Sequence, residues 1–100
     1  MPDDFLYVKQ NMYRGQKMND AQFRSARAIL KLGVREMGEL VGVSHFTVGR
    51  IEAGEPVKPA TIEKVRLALE AAGIEFIPEN GGGPGVRDNR KALSRQRVEP

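Results

Sequence analysis

Residues 34–52, VREMGELVGVSHFTVGRIE, decide the fold class. Val34, Met37 and Val41 recur at helical spacing and build one apolar face. Val48 and Ile51 do the same for a second short helix. Gly42, Val43 and Ser44 lie between the two. Gly42 suits the left-handed residue that ends a helix. Val43 is an apolar plug, and Ser44 is a good N-cap because its hydroxyl can accept from a free N–H of the next helix. Gly38, one turn before Gly42, has no side chain to block close approach of the second helix. This arrangement is the sequence form of a helix-turn-helix, and it makes double-stranded DNA the leading candidate partner.

Upstream, Asn19 can cap a helix, with Gln22 at the position that completes a capping box. Phe23, Ala26, Ile29 and Leu30 form its apolar stripe, with Arg24, Arg27 and Lys31 facing away. Leu32 and Gly33 end it. Downstream, Gly54 closes the second short helix, Pro56 keeps the connection extended, and Pro59 suits the first turn of another helix. That helix, residues 60–72, buries Ile62, Val65 and Leu69 and leaves Leu67 exposed. Ile74, Glu75, Phe76 and Ile77 make a short β-like run ended by Pro78. Four residues cannot stand alone as a sheet. The run must pack on the helices, pair with residues 5–8 (FLYV), or pair with its copy in a dimer. Three segments follow: an extension (residues 1–18), the helical unit with its terminal strand (19–78), and a Gly-rich joint with a basic flexible tail (79–100). The expected fold is mainly α.

Hydrophobic residues make up 40% of the 100 and charged residues 29%, as in a soluble globular chain. No apolar run approaches the ~18 residues that a membrane span needs. The N-terminus lacks the basic-then-apolar order of a signal peptide. With no cysteine there is no disulfide framework and no thiolate metal site. These features point to a cytoplasmic protein with no membrane association. One histidine and no nucleophile motif argue against an enzyme, and GGGPGV lacks the order and the lysine of a phosphate loop. No catalytic residue, metal site or cofactor is expected. The formal net charge is +3. Residues 81–100 hold five basic residues (Arg87, Arg90, Lys91, Arg95, Arg97) against Asp88 and Glu99, while the first 80 carry eleven of each sign. A DNA-binding face must therefore come from local placement of charge.

Residues 19–77 resemble the Cro/C1-type, or XRE-family, helix-turn-helix regulators of bacteria and phages. The resemblance rests on ARAILKLG, then REMGELVGVSHFTVGRIEAGE, then PATIEKVRLALEAAGIEFIPENGGGPGVR, and it is specific in order and spacing. It implies a compact lambda-repressor-like bundle of four to five helices with flexible tails. It also implies a dimer on palindromic operator DNA, mostly acting as a repressor in transcription regulation. Two positions depart from the family pattern. Where a capping serine or threonine and then a phosphate-touching glutamine are usual, this chain has Gly33 and Val34, and Val34 cannot donate. Gly49 is the other departure, since glycine in a helix costs about 1 kcal/mol relative to alanine.

A recognition helix sets its N-terminal residues against base edges in the major groove. Here these are His45, Phe46, Thr47 and Arg50. Arg50 can pair with guanine in bidentate fashion, or form a surface ion pair with Glu52 or Glu55. His45 can donate to a guanine acceptor or a phosphate. Phe46 can pack on a thymine methyl group, or lie beside the preceding helix. Arg35, Ser44, Gly49 and Lys58 are the expected phosphate contacts, and the arginine-rich tail can follow the backbone or minor groove or stay solvated. Leu67, Ile74, Phe76 and Ile77 are the expected dimer interface. The competing reading is a protein-interaction module, an antitoxin or anti-activator that holds a protein partner through the tails and strand.

Overall fold

A computed structural model describes residues 18–91 of the chain. The reading of residues 5–8 as a strand or docking segment, and that of Arg95 and Arg97 as a DNA-following tail, lie outside the described residues. Among the described residues four helices precede two strands: α1 (Asp20–Leu30), α2 (Val34–Val41), α3 (His45–Glu52) and α4 (Pro59–Ala71). The strands, β1 (Ile74–Ile77) and β2 (Gly85–Asp88), pair antiparallel with Phe76 opposite Val86. The fold is mainly helical, with a small two-stranded sheet.

The expected capping box opens α1. Gln22 N–H donates to Asn19 Oδ1 at 2.7 Å, and Asn19 N–H donates to Gln22 Oε1 at 2.9 Å. Ser44 caps α3, its Oγ accepting from Thr47 N–H at 3.1 Å. Gly42 ends α2 at φ 81°, and its carbonyl accepts from Lys64 Nζ of α4 at 2.9 Å. Gly38 is where α2 meets the following turn. A Cβ built there would stand 2.7 Å from the Val43 carbonyl oxygen, so only glycine allows this approach. One core joins every element. Phe23 and Ala26 come from α1, Met37 and Val41 from α2, Val48 and Ile51 from α3, Val65 and Leu69 from α4. Each such large apolar side chain stabilises the fold by about 1.5–3 kcal/mol.

The strands correct two expectations. Residues 85–88 are not part of a tail that begins at the glycines. They form β2, and the Gly-rich stretch is the hairpin loop that delivers them to β1. The buried Gln22 amide fastens the loop end of this hairpin, donating to the carbonyls of Gly85 at 2.9 Å and Ile77 at 3.3 Å. Beyond β2, Asn89 N–H donates to Gly73 O at 2.7 Å and Arg90 Nη2 to Ile29 O at 3.3 Å. The second correction concerns the dimer interface. Ile74 is 2% exposed and Phe76 7% exposed, both within this chain's own core. Strand alternation buries one face of β1 against the helices, so these two side chains have no surface to offer a second copy. Ile77, half-buried, and Leu67, 50% exposed, keep accessible surface.

Candidate nucleic-acid interface

The helical period places Val48 and Ile51 of α3 inside, and the remaining positions turn outward. Phe46 is 74% exposed, the most open large apolar residue described. Its ring leans on that of His45, with centroids 4.3 Å apart and planes tilted by 30°. The alternative of Phe46 packing beside α2 is thereby removed. Thr47 is half-buried, and its hydroxyl oxygen accepts from Ser44 Oγ at 3.2 Å. Gly49 faces open space, with no atom within 4 Å of where a Cβ would stand. Arg50 extends along the helix, donating Nη2 to the Pro56 carbonyl at 3.1 Å, with Nε 4.0 Å from Glu55. His45, Phe46, Thr47, Gly49 and Arg50 therefore share one short helix, with Ser44 at its start.

Glu52, the other carboxylate considered for Arg50, is held elsewhere. Arg27 of α1 grips it through two nitrogens, with Nη2 donating at 3.0 Å, and also donates Nη1 to the Leu32 carbonyl at 3.1 Å. The hydrogen bond to Glu52 raises the Arg27 pKa above its ordinary value, with burial opposing. Arg24 adds a bond from Nη1 to the Glu52 carbonyl at 2.6 Å. The end of α3 is thus fixed to α1 by charge-assisted bonds, the stronger class. Sequence reading sent Arg24 and Arg27 to solvent. A pair separated by 25 residues leaves no local signal in a chain so rich in both charges.

The cations divide into two groups. Arg24, Arg27, Arg66, Arg87 and Arg90 each lie within 4.0 Å of a carboxylate, as does Arg50 at the limit of that distance. Among the described residues, Lys31, Arg35, Lys58, Lys64 and Lys91 have no such partner, and Lys64 is engaged by the Gly42 carbonyl. Arg35 is exposed in the first turn of α2, and Lys58 is the exposed N-cap of α4, just beyond the loop that leaves α3. At the start of α2, Gly33 N–H donates to Glu36 Oε1 at 2.9 Å, and Gly33 itself has no side chain to return the bond. Among the described residues no cluster of His, Cys, Asp or Glu could hold a metal, and no helix is long and apolar enough to cross a membrane. No protein-family model, curated protein or solved structure matches the chain.

Proposed function

We propose that the protein is a sequence-specific DNA-binding regulator of the helix-turn-helix kind, with α3 as recognition helix in the major groove. The single observation that carries this reading is the exposed α3 surface. An aromatic ring, an imidazole, a hydroxyl and a guanidinium project from eight residues whose other face is locked in the core. Leaving a phenylalanine three-quarters exposed gains nothing for the fold and suits contact with a thymine methyl group. Arg50 supplies bidentate donors for guanine, and His45 and Thr47 supply shorter polar contacts. Ser44, Arg35, Lys58 and the open backbone at Gly49 face the phosphates, which set position rather than sequence. Repression at a palindromic operator by a homodimer follows from the family resemblance, and a cytoplasmic location from the composition. Leu67 and Ile77 are the remaining accessible candidates for that dimer contact.

The test is selection of bound duplexes from a random pool. A recovered palindrome with half-sites about 34–36 Å apart supports the reading. Recovery of no preferred sequence argues against it. The exposed Leu40 and Leu67, outside α3, favour the second reading, a module that binds a protein partner. Isolation of a stoichiometric protein partner, with failure to bind duplex DNA at any salt, would favour that reading instead.

A further inference from the structure

Three residues of α3 stand furthest from the core: Phe46, Gly49 and Arg50 are exposed, while His45 and Thr47 beside them are half-buried. At about 100° per residue, Phe46 falls almost opposite the mean direction of the buried Val48 and Ile51. It is therefore the outermost point of the helix. Gly49, one turn on, has no side chain to hold the ring off a surface, and nothing lies within 4 Å of where its Cβ would be. Arg50 is drawn away toward the end of the helix by the Pro56 carbonyl, 3.1 Å from Nη2. The aromatic neighbour of Phe46 is His45, at a ring-centroid distance of 4.3 Å. That stack supports the exposed ring before any ligand arrives.

A helix laid in the major groove presents its outermost residue to the groove floor. There the base edges offer hydrogen-bond donors and acceptors and one apolar group, the C5-methyl of thymine. A phenyl ring forms no conventional hydrogen bond, so it does not recognise the O4 of thymine or the N4 amino group of cytosine. It senses the methyl group. Cytosine methylated at C5 carries the same methyl group at the same place. We infer that Phe46 reads C5-methylated pyrimidines as a class: 5-methylcytosine is accepted at its position, and unmethylated cytosine is rejected. Cytosine methylation is then a covalent switch for binding wherever cytosine stands at that position. The inference rests on the DNA reading above.

The experiment starts from the duplex that the wild type selects from a random pool. At each thymine in turn, three duplexes are made, with deoxyuridine opposite adenine, 5-methylcytosine opposite guanine, and cytosine opposite guanine. Affinities of wild type and Phe46→Ala are measured at one fixed salt concentration. At one thymine per half-site, the wild type should lose about 4-fold with deoxyuridine, the effect of one buried methyl group. At the same position it should bind the 5-methylcytosine duplex about 4-fold more tightly than the cytosine duplex. Both differences should vanish in Phe46→Ala, whose Tm should stay close to wild type because the lost side chain is exposed. The wild-type comparisons test the inference without any variant. Half-sites without thymine, no response to loss of a methyl group, or equal binding of 5-methylcytosine and cytosine overturns the inference and leaves the DNA reading standing. A methyl preference that survives in Phe46→Ala also overturns it, since another residue would then be the reader. Failure of the wild type to bind any duplex overturns both.

Discussion

Two glycines one helix apart should respond to alanine with opposite signs. At Gly38 a Cβ would lie 2.7 Å from the Val43 carbonyl oxygen, 3.4 Å from His45 N and 3.5 Å from Ser44 C. All three neighbours are backbone atoms of the turn, which cannot rotate aside as a long side chain can. Ordinary contact would require the turn to move by roughly 0.7 Å, and such overpacking costs about 1–3 kcal/mol. Alanine returns about 1 kcal/mol in helix propensity, so Gly38→Ala should lose about 1 kcal/mol net. At Gly49 nothing lies within 4 Å, and the backbone is helical. Gly49→Ala should therefore gain about 0.5–1 kcal/mol. The two variants should differ by about 2 kcal/mol, or roughly 8–16 °C in Tm for a domain of this size. Circular dichroism melts and urea titrations with unchanged m check the values. If Gly38→Ala equalled or exceeded wild type, the close approach of α2 to the turn would be refuted. The same pair probes function. If Gly49 admits the DNA backbone, Gly49→Ala should be the more stable protein and the weaker binder.

Three further outcomes follow from the contacts. Glu52→Gln should lower stability by about 1–3 kcal/mol in urea unfolding, because it leaves the Arg27 guanidinium without its charge partner in a half-buried site; a double-mutant cycle with Arg27→Met should show coupling of at least about 0.5 kcal/mol. Gln22→Ala removes one half of the α1 cap and leaves the Ile77 and Gly85 carbonyls short of a donor, at about 1–3 kcal/mol; amide exchange should quicken in β1 and β2 more than in α3. The Arg90 hydrogen bond holds the Asp88 carboxyl down at about 2, from an ordinary 3.8. A depressed folded pKa adds stability above the unfolded value, and that stability is lost as pH falls through the folded one. Tm of the wild type should fall between about pH 4 and 2, and Asp88→Asn should make that part of the fall shallower; identical acid profiles would contradict the linkage.

The sequence was most legible where periodicity and cap chemistry agree. Val34, Met37 and Val41, then Val48 and Ile51, announce α2 and α3, and Asn19 with Gln22 announces the start of α1. Gly38 could be read because one missing side chain has one local consequence. β2 could not be read: Val86 is its single apolar residue, and Gly85, Arg87 and Asp88 carry no strand signal of their own. Its conformation comes from pairing with β1 and from the Gln22 amide, 63 residues away from Gly85. The apolar content of residues 74–77 announced a short strand that needed a partner without saying which. The helices of the same chain cover it, which removed Ile74 and Phe76 from the dimer surface. At the candidate interface, the exposure of Phe46 followed from phase relative to Val48 and Ile51. The tether of Arg50 to Pro56 and the grip of Arg27 on Glu52 depend on side-chain geometry, which spacing does not encode.

The central claim is that α3 reads bases. The most direct measurement is the affinity of wild type and Arg50→Ala for the selected duplex and for a scrambled duplex, at one fixed salt concentration. Base readout predicts a loss of about 1–3 kcal/mol on the selected duplex, roughly 5- to 150-fold, with little change on the scrambled one. Equal losses on both duplexes would show Arg50 acting as a phosphate contact and would contradict sequence reading by this helix.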